Sequence, residues 1–328
     1  MERLVDGTQT DGFACGTDSN GSVPTIRSEK MKSSAAIASI RRVGGLIRGD
    51  RELSIYFTIM MVILLLGVFG PMLAPYQYND PHYDDEGSLL RAEGPSLDHP
   101  LGTTSSGHDV LSRLMVGARP TVITGLLGGA MIITLGTSVG VTSGYVGGKV
   151  DEALMRMTDF VYGVPLIPFA IVLLAFMGFG LLTTIIAMGL ILWRASARVL
   201  RAQVLQLKER PFVLAAKATG MNHRTLVRVH ILPNIAPMMM LFFALGIGYS
   251  ILVQAGLAFI GVSDPFVPSW GVMLRNVYDA GYTSIAWWWS IPPGIMISLT
   301  VLSAFMFGRK FEELTSGEFD DTDLGGGA

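Results

Sequence analysis

Six stretches of about twenty apolar residues, none with an ionisable side chain at its middle, constrain this chain more than any other feature. They are Ile55–Ala74, Pro120–Val141, Phe160–Phe179, Leu181–Leu200, Ala236–Val262 and Trp287–Phe307. Each is near the ~20 residues an α-helix needs to cross about 30 Å of hydrocarbon. Barrel strands are ruled out, because these runs are too long and too continuous for alternating segments of ~9–11 residues. Composition agrees on the solvent. Half of the residues are hydrophobic, 15% are charged and the mean hydropathy is +0.48, which argues against a water-soluble globule. The expected fold class is an all-α polytopic membrane protein with six transmembrane helices.

Details within the spans refine that picture. Gly178-Phe179-Gly180 leaves almost no loop between spans three and four, as in a helical hairpin. In and just after span two, Gly125 and Gly129 form one four-residue step and Gly136, Gly140 and Gly144 form two more. Small residues at that spacing let helix backbones approach closely in lipid, as static packing or as a sliding interface. Pro165, Pro168, Pro292 and Pro293 remove backbone donors inside spans and predict kinks. Gln254 is the most conspicuous large polar side chain at depth. It needs a partner there, so an interhelical hydrogen bond or contact with a transported solute is expected. Arg194, Arg198 and Arg201, beside Trp193, read as snorkelling anchors at headgroup level.

Charge sets the orientation. With a cytoplasmic N-terminus, only Arg91, Arg113, Arg119 and Arg275 fall outside, leaving 20 of the 24 Lys and Arg inside. That is the positive-inside bias. The expected organisation is a cytoplasmic tail over 1–54, a membrane domain over 55–308 and an acidic cytoplasmic tail over 309–328. Within the membrane domain, residues 75–119 lie outside and 201–235 form a cytoplasmic loop. Residues 1–25 and 318–328 have the composition of disorder. No short apolar core leads to a cleavage site, so span one is expected to serve as an uncleaved insertion signal. The lone Cys15 rules out an intramolecular disulfide framework.

The cytoplasmic loop carries the sharpest motif, PFVLAAKATGMNHRTLVRVHILPN over 211–234. Pro211 suits the first turn of a helix. Phe212, Ala215, Ala216 and Thr219 follow at helical spacing, and Val213 and Leu214 make the helix apolar nearly all round. Such a helix should be buried against a partner as well as its own chain. Gly220 can take a left-handed turn, and Leu232-Pro233 is expected to stop the following helix. The alternative, a loop lying on the lipid surface, has no need of the alanine pair or of the Gly and Pro spacing.

This stretch resembles the loop by which permease subunits of ATP-binding-cassette (ABC) importers dock onto their ATPases. That consensus reads Glu-Ala-Ala, Gly four residues on, then Leu-Pro; Leu214 stands where the family has Glu. Three further motifs are similar to the dipeptide/oligopeptide/nickel branch of these importers, and to its second permease subunit. His99 to Thr121 (HPLGTTSSGHDVLSRLMVGARPT) holds Gly102, Asp109, Arg113 and Arg119 where the branch expects them, with Thr104 and His108 as departures. Gly144 to Asp159 and Pro268-Ser269-Trp270-Gly271 complete the set. The resemblance covers roughly residues 50 to 312. It implies a type I ABC importer permease fold. It also implies ATP-binding subunits, a second permease subunit and an extracytoplasmic substrate-binding protein as partners. The docking residues would be Phe212, Leu214, Ala215, Ala216, Gly220, Leu232 and Pro233.

Read locally, the His99–Arg119 segment gives an amphipathic helix at the outer surface. Val110, Leu111, Leu114 and Met115 lie on one face, with Asp109 and Arg113 free to pair across one turn. It serves either to anchor span two or to gate. No catalytic constellation, P-loop, metal-ligand spacing or nucleic-acid motif is present, so no cofactor is expected and chemistry falls to a partner. The absence of ionisable groups at depth counts against an ion-coupled transporter. The expected function is a permease for di- or oligopeptides. The same machinery carrying nickel or another small solute, a membrane scaffold and an intramembrane enzyme are the alternatives.

Overall fold

In this computed structural model the chain divides into two units, residues 1–49 and 50–328. The structure describes Gly45 and residues 49–324, with side chains to 316. Expectations for Cys15, for disorder over 1–25 and for most of the N-terminal tail lie outside the described residues.

The described part of the second unit is mostly helical, with a long irregular segment over 74–109 that carries three isolated β-bridges. α1 (Arg51–Leu73) starts at Asp50, whose carboxylate accepts the Leu53 N–H at 2.8 Å and so caps a free donor of the first turn. α2 (Val110–Val146) is 37 residues long, about 55 Å at 1.5 Å per residue, and projects beyond a bilayer core. The separate interfacial helix expected before span two is instead its first three turns. Pro120 sits inside it, where Gly117 packs onto Pro268, Ser269 and Trp270 and holds the helix together.

The third span differs from expectation. Residues 160–179 do not form one helix. α3 (Gly148–Gly163) and α4 (Leu166–Met177) meet at 88°. Val164 is extended, because the ring of Pro165 disfavours helical backbone at the residue before it. α4 alone, 12 residues and about 18 Å, is too short to cross. By length and composition five helices can span a membrane, and six spans result when the bent pair counts as one.

α5 (Leu181–Leu207) follows α4 after a three-residue join, with Gly178 at φ 91°. α6 (Pro211–Ala218) and α7 (His223–Leu226) form the connecting loop. A π-turn (Val227–Ile231) then runs directly into α8 (Leu232–Phe259). Leu232-Pro233 therefore does not stop a helix, contrary to expectation. The Leu232 N–H reaches back five residues to the Val227 carbonyl, and this widened turn makes room for a proline without an N–H. α9 (Trp270–Asp279) is short, and α10 (Trp287–Leu324) passes through Pro292 and Pro293 without a break. α10 also continues as helix through Leu324, where the acidic end was expected to be disordered. Lys310, in the turns before that end, lies 3.7–3.8 Å from Asp50, Glu52 and Glu313 and ties α10 to the start of α1.

α2 is the central helix, and its glycines explain why. A Cβ at Gly125 or Gly129 would press on Ile247 of α8. One at Gly140 would lie 2.6 Å from the Ala197 carbonyl oxygen of α5, and one at Gly144 2.9 Å from that of Arg201. The steps thus serve two different helices of the same chain, as packing. One apolar core surrounds α9, with Leu114, Ile251, Trp270, Met273 and Trp289. A second, joining Val141, Leu200, Val204, Val213, Leu226, Ile231 and Ile235, seats the loop between α5 and α8.

Candidate functional site

The loop between α5 and α8 is built by its own sequence. Pro211 opens α6 at the first helical position, and Arg210 precedes it in extended conformation. α6 closes with the Met221 N–H bonded to the Ala216 carbonyl and the Gly220 N–H to that of Lys217. This Schellman-type ending needs a left-handed residue, and Gly220 supplies it at φ 78°. Asn222 then caps α7, accepting the Arg224 N–H at 3.2 Å.

Only one face of α6 is held. Val213 is buried in the second core, with Ala216 and Met221 packed at its edge. Phe212 and Leu214 are 44% and 47% exposed, and Ala215 is exposed beside them. The structure therefore brings Phe212, Leu214 and Ala215 onto an exposed apolar surface bordered by the His230 ring, turns Ala216 inward, and gives Gly220 the turn. Leu232 and Pro233 lie farther on, at the start of α8.

A polar clamp at this end was not legible in the sequence. Asp151 of α3 receives two bonds from Arg201 of α5, Nε to Oδ1 and Nη2 to Oδ2, both 2.6 Å. Ser143 of α2 also donates to Asp151. The Tyr145 hydroxyl lies 2.6 Å from His223 Nδ1, joining the end of α2 to α7. Arg198 pairs with Asp159, and Arg194 donates to the Val161 carbonyl at 3.1 Å. These arginines tie α5 to α3 rather than snorkelling alone, because α3 folds back along α5. The motif over 144–159 marked one side of the clamp, but its partners lie some 50 residues away.

The motif over 99–119 is packed inward. Asp109 is fully buried at the start of α2, accepting the Ser112 N–H and hydroxyl at 2.7 Å each, with His99 Nδ1 at 2.9 Å. The expected Asp109–Arg113 pair does not form. The Asp109 oxygens are engaged by Ser112 and His99, and Arg113 Nη1 turns to His108 Nδ1 at 2.7 Å. Burial, and then the Arg113 charge, pull the His108 pKa below its ordinary value, so its ring stays neutral and can accept. Gly102, at φ 62°, lies beneath the Trp288 indole, where a Cβ would come 2.7 Å from the ring. Arg119 is exposed and apart from this cluster.

The fourth motif locks α9. Ser269 caps it, Trp270 Nε1 donates to the Leu114 carbonyl at 2.9 Å, and Gly271 lies on Ala255. Gln254 Nε2 donates to Ser269 Oγ at 3.0 Å, the interhelical bond expected of it, while its Oε1 has no partner. Among the described residues no three His, Cys, Asp or Glu side chains gather as a metal-binding group.

A multi-pass bundle around one glycine-lined helix, with a half-exposed apolar helix in the α5–α8 loop, defines the class: an all-α membrane permease of the type I ABC importer fold. A chain of the MetNI methionine ABC transporter, solved in inward-facing conformations, shares this fold. Its TM-score is 0.51 at 18% identity, covering 61% of this chain and 95% of that one. The chain belongs to the family of binding-protein-dependent transport system inner membrane components, whose profile matches residues 132–315. It is similar to the oligopeptide transport system permease protein OppC of Bacillus subtilis, 33% identical over 76% of this chain and 80% of that protein. The dipeptide transport system permease protein DppC of the same organism is 32% identical over 78% of each. The glutathione transport system permease protein GsiD of Pectobacterium atrosepticum is 33% identical over 76% of this chain and 82% of that protein.

Proposed function

We propose that this chain is a permease subunit of an ATP-driven importer of peptides. It would form part of the translocation pathway and take its work from a cytoplasmic ATPase docked on α6. The peptide class is supported by relatives named for oligopeptide, dipeptide and glutathione transport. The observation that carries the docking assignment is the half-covered α6: Val213 anchors it, while Phe212, beside the His230 ring, and Leu214 and Ala215 keep exposed apolar surface among the described residues. An exposed apolar patch bordered by polar residues is what a protein contact uses.

In this reading residues 1–54 and 309–328 are cytoplasmic tails, 55–308 the membrane domain, and 75–119 face outward to receive the binding protein. A second permease subunit completes the pathway. This chain carries no catalysis, and ATP hydrolysis belongs to the docked subunits. The clamp of Asp151, Arg201, Tyr145 and His223 would pass movement of α6 and α7 to α2, α3 and α5, since polar pairs between rigid helices transmit displacement.

The test is substitution at the uncovered face. Leu214→Asp and Ala215→Asp should leave insertion and folding intact yet abolish co-purification with the ATPase subunits, because each places an unpaired charge in the contact. Ala216→Asp should do so less cleanly, since Ala216 also touches the Val213 core. Gly220→Val should uncouple through the backbone alone, because its added side chain meets nothing while its φ is left-handed. Full transport by the Leu214→Asp protein would remove α6 as the dock.

A further inference from the structure

A cavity of about 220 Å³ opens between α2, α3, α5 and α8, lined by Tyr162, Arg194, Ser196, Phe242, Leu245 and Tyr249 among others. Arg194 lies about 20 Å along α5 from Leu181. It differs from its neighbours on that helix. Arg198 is paired with Asp159 and Arg201 with Asp151, whereas among the described residues Arg194 pairs with no carboxylate. Its guanidinium has five N–H donors, spends one on the Val161 carbonyl and stands 4.8 Å from the centre of the Tyr162 ring.

We propose that this cavity is a subsite of the pathway that takes the C-terminal end of a peptide, with Arg194 receiving the terminal carboxylate. The inference rests on the peptide reading above. The chemistry selects that end: Arg194 is the one charged group among the lining residues, and Arg198, 4.0 Å over the same Tyr162 ring, is neutralised by Asp159, so the cavity attracts a carboxylate and repels a terminal ammonium. A carboxylate matches the planar fork of a guanidinium in geometry as well as charge. The phenols of Tyr162 and Tyr249 can donate to the same group. Phe242 and Leu245 form an apolar wall for the last side chain, and Gly246 beside them packs onto Gly129 of α2, which fixes that wall in place. The volume is below the ~300–1,000 Å³ of a pocket that encloses a whole small ligand, so it suits one end of a chain in passage. A single guanidinium partly used on Val161 gives a hold weak enough to release.

The experiment uses the complete transporter, with its partner permease, ATPase and binding-protein subunits, in vesicles. It compares uptake of a tripeptide with uptake of the same peptide as its C-terminal amide. Because the binding protein is common to all preparations, a change in the acid-to-amide ratio belongs to this chain. The wild type is expected to favour the acid, and Arg194→Gln to lower acid uptake about tenfold, as loss of one charge-assisted contact does. Amide uptake should fall by less than acid uptake, so that the acid-to-amide ratio drops. Tyr249→Phe should lower the ratio by a smaller factor.

Equal loss of acid and amide uptake in an assembled Arg194→Gln transporter would show that Arg194 only caps α3, and would overturn the proposal. A defect confined to vesicles with anionic lipid would overturn it in favour of a headgroup anchor. If Arg194→Gln does not assemble, Arg194→Lys and Tyr249→Phe must still shift the ratio, or the proposal fails. A wild type that carries both peptides without preference overturns this inference and leaves peptide transport standing. A wild type that carries neither overturns both.

Discussion

The motif before α2 and the loop between α5 and α8 are equally distinct in sequence, yet their side chains point in opposite directions. Asp109, Ser112 and Arg113 are buried, and Gly102 is roofed by Trp288. On α6, Phe212, Leu214 and Ala215 are exposed and only Val213 is fully covered. One region uses its motif to close the chain on itself, the other to leave apolar surface for something else. A short motif therefore does not announce which role it plays; the direction of its side chains does.

The comparison can be broken outright if the two regions share one side of the membrane. With Cys15 replaced by Ser, a cysteine at Ser88 should react with an impermeant thiol reagent in intact cells, and one at Thr225 should not. Both positions are exposed, so access to each is decided by sidedness. Labelling at Thr225 in sealed cells would invert the arrangement.

Next in size, Asp109→Ala should destabilise the purified protein by roughly 3 kcal/mol, seen as a lower unfolding midpoint in detergent. It removes a helix cap and leaves Ser112 and His99 unmatched in a buried site. The contrasting substitution, Leu214→Asp, should stay within about 0.5 kcal/mol of wild type by the same measurement, as exposed changes do, while losing the ATPase. Comparable losses from both would erase the distinction between the regions.

Gly140→Leu should cost about 1–3 kcal/mol, because the new side chain meets the Ala197 carbonyl and Leu200 across a helix pair inside this chain. Reduced yield of this subunit expressed alone is therefore expected, and not only reduced yield of the complex. Wild-type yield would show that the α2–α5 contact can open.

The smallest effect is acid sensitivity of the loop before α2. His108 has a lowered folded-state pKa, so protons favour the unfolded loop as pH falls below the ordinary histidine value near 6.5. The contribution is present above that value and is lost as pH falls through the lowered pKa. His108→Gln should flatten this slope in a hydrogen-exchange measurement over the loop, while a residual slope of wild-type steepness would show that His108 is not its source.

Much of the site was legible because it is local. Pro211 at the first helical position, Gly220 at a left-handed turn and apolar residues all round α6 are properties of a dozen consecutive residues. The Leu232-Pro233 stop was misread because a π-turn, set by the packing of Leu226 and Ile231 into the inner core, can admit a proline that an α-turn refuses. Asp109 with Arg113 was misread because i, i+4 spacing was visible and His99 and His108 as competing partners were not.

By itself the sequence determined the solvent, the number of apolar runs, the bias of positive charge and the turn that shapes the loop. Chain length against bilayer thickness, and backbone preference at single residues, act without reference to distant parts. Only the tertiary structure decided that the third run breaks into α3 and α4, that the glycines of α2 divide between α5 and α8, and that Asp151 meets Arg201. It also left Arg194, among the described residues, without a paired acid on a cavity wall. Those outcomes depend on which helices come to lie side by side, and in lipid that is settled by close packing and by buried polar groups finding partners, which no local pattern encodes.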